Sequence, residues 1–226
     1  MAKQKKNSNY VTEKTLAAKA EQEEARLKEE KTKKITTISI WSGAIVLAIG
    51  LIVLFLVSVG AFKYQPEVTD HASVTLSDGS TLHIELYGKD APKTVEHFKK
   101  IAKEGYFTGR SLHTLLDGKL YVGNTLADST AGVKGEFKSN GYDNKIPADK
   151  YTVYLSRGEG KDSGYGQFFI LTEKDKSVKN DYAAFGKLSD STTIKNILDK
   201  ATVGADGKIE SPLTIVSIDF HSSDSH

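Results

Sequence analysis

Residues Ile84 to Thr114 read IELYGKDAPKTVEHFKKIAKEGYFTGRSLHT, and this stretch decides the fold. Leu82, Ile84 and Leu86 alternate with His83, Glu85 and Tyr87, the two-residue period of a half-buried strand. Gly88 and Lys89 break that period. Asp90 is placed to accept hydrogen bonds from the free amides of a helix start, and Pro92 suits a first turn. Val95, Phe98, Ile101 and Ala102 recur at three- and four-residue steps, giving one apolar helix face, and Gly105 stands where a left-handed cap would end it. The unit is strand, short turn, amphipathic helix, then a second strand-like segment from Ser111.

Working outward, the chain towards the N-terminus changes character twice. Residues 1–34 hold ten Lys and Arg against six Glu, so of the net +2 this tail carries +4 and the remainder −2. The tail is almost without large apolar residues; it cannot bury a core and is expected to be a solvated helix or a disordered tail. Glu24 and Lys28 are spaced for a helical ion pair, while Leu16 and Leu27 alone do not make a coiled-coil seam. Residues 35–62 carry no charge at all. About 20 apolar residues suffice to cross the hydrocarbon layer, so this segment is expected to be a membrane anchor. Trp41 and Tyr64 stand near its ends, where amphipathic rings prefer the interface. The rival is a cleaved signal peptide with a weak site at Val59-Gly60-Ala61; the long charged leader and long apolar run favour the anchor. Lys28, Lys31, Lys33 and Lys34 precede the span and only Lys63 follows closely, which predicts a cytoplasmic tail and an extracytoplasmic C-terminal part.

Residues 63–70, with Pro66, read as a tether, 71–221 as the folded domain and 222–226 as a polar end. The domain opens with a hairpin whose register requires a three-residue loop, Ser77 to Gly79, with Gly79 at positive φ. Asn140-Gly141 marks a turn. Thr152–Leu155, Gln167–Thr172, Tyr182–Leu188 and Leu213–Phe220 read as strands, and Thr192–Ala201 as a helix opened by Asp190 or Ser191. Many short strands with two separated amphipathic helices predict a mainly β fold, barrel or sandwich.

Several function classes drop out. Without cysteine there are no disulfides, thiolate metal sites or cysteine nucleophiles. The six histidines (71, 83, 97, 113, 221 and 226) lack metal-ligand spacing. A domain without basic excess argues against nucleic acid. Gly158 to Ser163 lacks the frame of a phosphate loop. Phe168, Phe169 and Phe185 would be core residues in any barrel.

Five ordered blocks resemble the cyclophilin family of peptidyl-prolyl isomerases: Ala91 to Phe98 with Glu104-Gly105-Tyr106-Phe107, Leu112-His113-Thr114, Gly135-Glu136-Phe137, Gly166 to Ile170, and Ala184 to Lys187. The resemblance implies an eight-stranded antiparallel β-barrel closed by two helices, here preceded by one transmembrane helix and the polar tail. It implies rotation about X-Pro bonds, proline-containing polypeptides or a membrane or exported protein as partners, and no cofactor or metal. In the family an arginine donates to the twisted amide beside an apolar proline pocket. Aligned without gaps, that arginine falls on Thr114, whose short neutral hydroxyl lacks the reach and charge of a guanidinium. Gln167 is kept, and Phe169 falls on the pocket floor. The remaining groove positions fall on His113, Lys119, Leu120, Val122, Ser156, Val178 and Tyr182. The expectation is a weak membrane-anchored isomerase assisting exported proteins, or a non-catalytic proline-peptide or protein-binding module. A third reading is a structural spacer recruited through its tail.

Overall fold

In a computed structural model the described residues are 2–58, 63–124 and 132–222; the expected span's last residues, 59–62, and most of the polar C-terminal end, 223–226, lie outside them. The chain divides into two compact units, Met1–Lys63 and Tyr64–His226. The first is one helix, α1 (Ala2–Ser58). Exposed pairs one turn apart support its polar part, Glu24–Lys28 at 3.1 Å and Glu29–Lys33 at 2.7 Å. Its apolar part leaves Ile40, Trp41, Leu47 and Leu54 about two-thirds exposed. With a mean hydropathy of 2.8 over its most apolar window, α1 is long and apolar enough to cross a membrane by length and composition.

The second unit holds eight strands and two helices in the order β1 (Asp70–Leu76), β2 (Thr81–Leu86), α2 (Pro92–Lys103), β3 (Ser111–Leu116), β4 (Lys119–Gly123), β5 (Thr152–Leu155), β6 (Gln167–Leu171), β7 (Ala183–Leu188), α3 (Thr192–Lys200) and β8 (Ile215–Ser222). All pairings are antiparallel, in the order β3-β4-β6-β5-β7-β2-β1-β8. The sheet curls so that the segment ahead of β8 runs along β3. The Leu112 amide donates to Leu213 O at 2.9 Å, and the Ile215 amide to Arg110 O at 2.7 Å. This is the expected antiparallel barrel with its two helices.

The first hairpin has the expected register. Val74 faces Leu82, Leu76 and Ser80 bound a three-residue loop, and Gly79 takes φ 81°, a backbone conformation that side chains resist. Residues 63–70, read as a tether, are partly laid on the domain: the Tyr64 hydroxyl donates to Asp90 at 2.8 Å, and Lys89 pairs with Glu67. That contact also corrects the expected cap of α2. Asp90 is spent on Tyr64. The buried Glu136 instead accepts the Lys93 amide at 3.1 Å, the Thr94 amide at 2.9 Å and the Thr94 hydroxyl at 2.8 Å. A carboxylate 42 residues away satisfies the helix start and complements its dipole. At the other end of α2, the Gly105 and Tyr106 amides turn back onto Ala102 and Ile101. α3 starts as expected, the Thr192 amide donating to Asp190 at 3.0 Å.

The apolar face of α2 closes the barrel. Phe98 is the hub, its ring 5.4 Å from Phe107, 5.7 Å from Phe168 and 5.1 Å from Phe185. Ile84, Leu86, Leu112, Leu120 and Val122 complete this core. A second apolar cluster lies on the other face of β4, β5 and β6, and contains Phe169.

Candidate functional site

Strand alternation sorts residues between the two clusters. Phe168 joins Phe98 in the barrel core and Phe169 points the other way, since neighbours on a strand face opposite sides. Cross-strand pairing then gives one row on the Phe169 side: Thr114 faces Tyr121, Tyr121 faces Phe169, and Phe169 faces Tyr154. Lys119 with Leu171, and Gly123 with Gln167, extend that face on either side.

Two of the expected groove residues do not reach it. Leu120 and Val122 are 0% and 1% exposed in the barrel core, so they cannot line a substrate groove. The reason is strand alternation on β4, which is paired with a bulged β3. Leu112 pairs with Val122 and Thr114 with Tyr121, leaving His113 as an extra residue, and on β4 alternation puts Lys119 and Tyr121 on the Phe169 side and Leu120 and Val122 in the core. The groove-facing side chain is therefore Tyr121, which the sequence reading missed. At the next outward position, opposite Gln167, stands Gly123 with φ 107°, where an added Cβ would strike the Gly166 carbonyl. No side chain fits there.

The bulge brings three other expected residues together. His113 Nδ1 lies 2.7 Å from Thr114 Oγ1, and His113 Nε2 lies 3.3 Å from the amide nitrogen of the buried Gln167. Burial holds the imidazole below its ordinary pKa of 6.5, so the ring is neutral at pH 7. Ser156 continues this side, its amide donating to Gln167 O at 2.8 Å, while its buried hydroxyl has no hydrogen-bond partner among the described residues.

The pocket floor is roofed. Phe169 is 1% exposed: Tyr154 stacks parallel on it at 5.2 Å, Tyr121 lies tilted at 5.6 Å and Tyr182 edge-on at 5.2 Å. Val178 is buried in the same cluster. Tyr182 is clamped by Arg157, whose guanidinium lies 5.2 Å above its ring and whose Nε donates to Asp181 O at 2.7 Å. Arg157 was legible only as a cation in a glycine-rich loop. Lys119 is held away by Asp175 at 3.4 Å. Two hydrogen bonds from Ser177, with Lys119 nearby, keep the Asp175 carboxyl below its ordinary pKa, whereas desolvation raises the Tyr121 phenol. Among the described residues no cluster of three His, Asp or Glu side chains is arranged for a metal.

A curled antiparallel barrel with two capping helices defines a class of protein, and comparison with known proteins agrees. The family model for cyclophilin type peptidyl-prolyl cis-trans isomerase matches residues 71–220. Peptidyl-prolyl cis-trans isomerase B of Bacillus subtilis is 28% identical over 141 residues, 60% of this chain and 94% of that one. Its namesake in Saccharomyces cerevisiae is 30% identical over 148 residues, 60% of this chain and 68% of that one. Among solved structures, a cyclophilin type isomerase of Cryptosporidium parvum, in the presence of the dipeptide Ala-Pro, superimposes with a TM-score of 0.56. It covers 67% of this chain and 99% of its own at 21% identity, a likeness of fold. The chain belongs to the cyclophilin-type peptidyl-prolyl cis-trans isomerase family.

Proposed function

We propose that the domain is a membrane-tethered cyclophilin that binds proline-containing segments of exported proteins outside the membrane and isomerises X-Pro bonds weakly. The observation carrying this is the hydrogen-bonded row Gln167, His113, Thr114 at the place where the family resemblance puts its arginine. Rotation about X-Pro must break amide resonance across ~18–20 kcal/mol, and a donor to the pyramidal nitrogen of the twisted amide lowers that barrier. The neutral imidazole accepts from the Gln167 amide at Nε2 and donates from Nδ1 to Thr114 Oγ1. The Thr114 hydroxyl proton is then free for the substrate, and the chain of bonds polarises it. A hydroxyl carries no charge, so the rate should fall roughly 10²–10³ below that of an arginine-bearing site. The Ser156 hydroxyl, without a partner among the described residues, is a second polar group for the bound segment. The apolar length of α1 and the lysines ahead of it support the anchor and its sidedness.

The roof over Phe169 favours a second reading, a binding module without catalysis, because a proline ring reaches that floor only when Tyr121 or Tyr182 moves. A protease-coupled isomerisation assay on the full chain in detergent micelles separates the two. Acceleration above buffer that is lost in Thr114→Val supports the isomerase. Peptide binding with no acceleration supports the module. Impermeant labelling in intact cells of a cysteine introduced at Asp78 checks the outward orientation, and protection there reverses it.

A further inference from the structure

We infer that Lys208, carried by the segment laid along the outer edge of β3, supplies the positive charge of the groove and selects segments with an acidic residue beside their proline. The inference rests on the groove reading above. Its basis is register. The Ile209 amide donates to His113 O at 2.9 Å and the Leu115 amide to Gly207 O at 2.8 Å, so residues 207–209 form a further strand-like rung against β3. Within that rung Thr114 and Lys208 are direct antiparallel partners. Partners opposite one another project to the same side of a sheet, and Ile209, the next residue, packs against the barrel core. Lys208 therefore stands on the groove side, next in the row that runs through Thr114, Tyr121 and Phe169.

What it offers there is a mobile charge at a rim. Its side chain is 76% exposed, and its ammonium lies 2.8 Å from the Asp206 carboxylate, itself 57% exposed. An ion pair so open to water is worth little, so a ligand carboxylate can replace Asp206 at small cost. Asp206 also accepts the Lys208 amide at 3.1 Å, which fixes the turn presenting the lysine. Leu116, two residues beyond Thr114 on the same face and 46% exposed, gives an apolar shelf alongside. The other groove-side ammonium, on Lys119, is held by Asp175 with its side chain only 16% exposed. Arg157, its side chain 17% exposed, is spent on Tyr182 and Asp181, so among the described residues named on this face Lys208 is the cation open to a ligand.

The test uses fluorescence anisotropy on the full chain in detergent micelles, with two labelled peptides identical except for Glu or Lys immediately before proline. The Glu-Pro peptide should bind about two- to fivefold tighter at low salt, the scale of an exposed charge pair, and the preference should vanish at high salt. Lys208→Met should bring the ratio to one and Lys208→Glu should invert it. Asp206→Asn, which keeps the turn's acceptor but frees the ammonium, should widen the preference. Thermal unfolding of each variant should match the parent, as expected for exposed residues. Equal binding of both peptides by the parent, or a preference surviving in Lys208→Met, overturns the assignment and leaves the groove reading standing. Binding of neither peptide overturns both.

Discussion

Phe168 and Phe169 are adjacent in sequence and sit in two different proteins, physically speaking. Phe168 joins a core of phenylalanines and aliphatics with no polar handle, around Phe98, Phe107 and Phe185. Phe169 lies among Tyr121, Tyr154 and Tyr182, rings whose hydroxyls need water or partners. The difference teaches that the barrel core and the candidate site are separately encoded on the two faces of the same strands. The inward face has to fill a barrel. The outward face carries Thr114 and tyrosines, which can change without disturbing a pairing.

That separation can be broken most forcefully from the inside. Phe98→Ala should cost about 3–5 kcal/mol, because a ring at the hub leaves a cavity its neighbours cannot close; chemical denaturation would measure it. A loss under 1 kcal/mol would mean that the core is not organised around this ring. Thr114→Arg makes the opposite probe. It should leave the unfolding midpoint nearly unchanged and raise isomerisation by roughly 10²–10³ in the coupled assay. Absence of any gain would shift the defect to the tyrosine roof. Next comes Glu136→Ala, expected to lose about 2–3 kcal/mol since two buried donors of Thr94 and the part-buried Lys93 amide are orphaned together.

Tyr182→Ala should cost less, about 0.5–1.5 kcal/mol of ring contact beyond its burial, and it sharpens the comparison by uncovering Phe169. Tighter binding of a proline peptide to that variant would show that the roof limits access; weaker binding would make Tyr182 part of the site. The smallest effect is on pH. Burial lowers the pKa of both His113 and His97 in the folded chain, so above pH 6.5 neither costs anything. As pH falls below 6.5 the unfolded chain takes up those protons first, and stability declines through the folded pKa values. His113→Asn should flatten part of that decline in thermal melts between pH 7 and 5, and an unchanged slope would remove the ring from the account.

Much of this was legible in the sequence, for physical reasons that differ by element. The alternation in Leu82 to Leu86 and the helical spacing from Val95 to Ala102 specify local structure because burial imposes its period on the chain. The charge-free run 35–62 announces itself by composition alone. The groove was half readable. Thr114, His113 and Gln167 do converge, but Leu120 and Val122 fall in the barrel core, since neighbours on β4 face opposite sides and only the pairing decides which side is the core.

By itself, then, the sequence determined both helices and most strands of the domain, β4 excepted, the uncharged run 35–62, and a threonine at position 114. Only the tertiary structure decided that Glu136, not Asp90, caps α2, that Tyr121 and Tyr182 cover Phe169, and that Lys208 stands beside Thr114. These contacts join residues tens of positions apart. Their partners are chosen by strand register and barrel closure, and local periodicity carries no information about either.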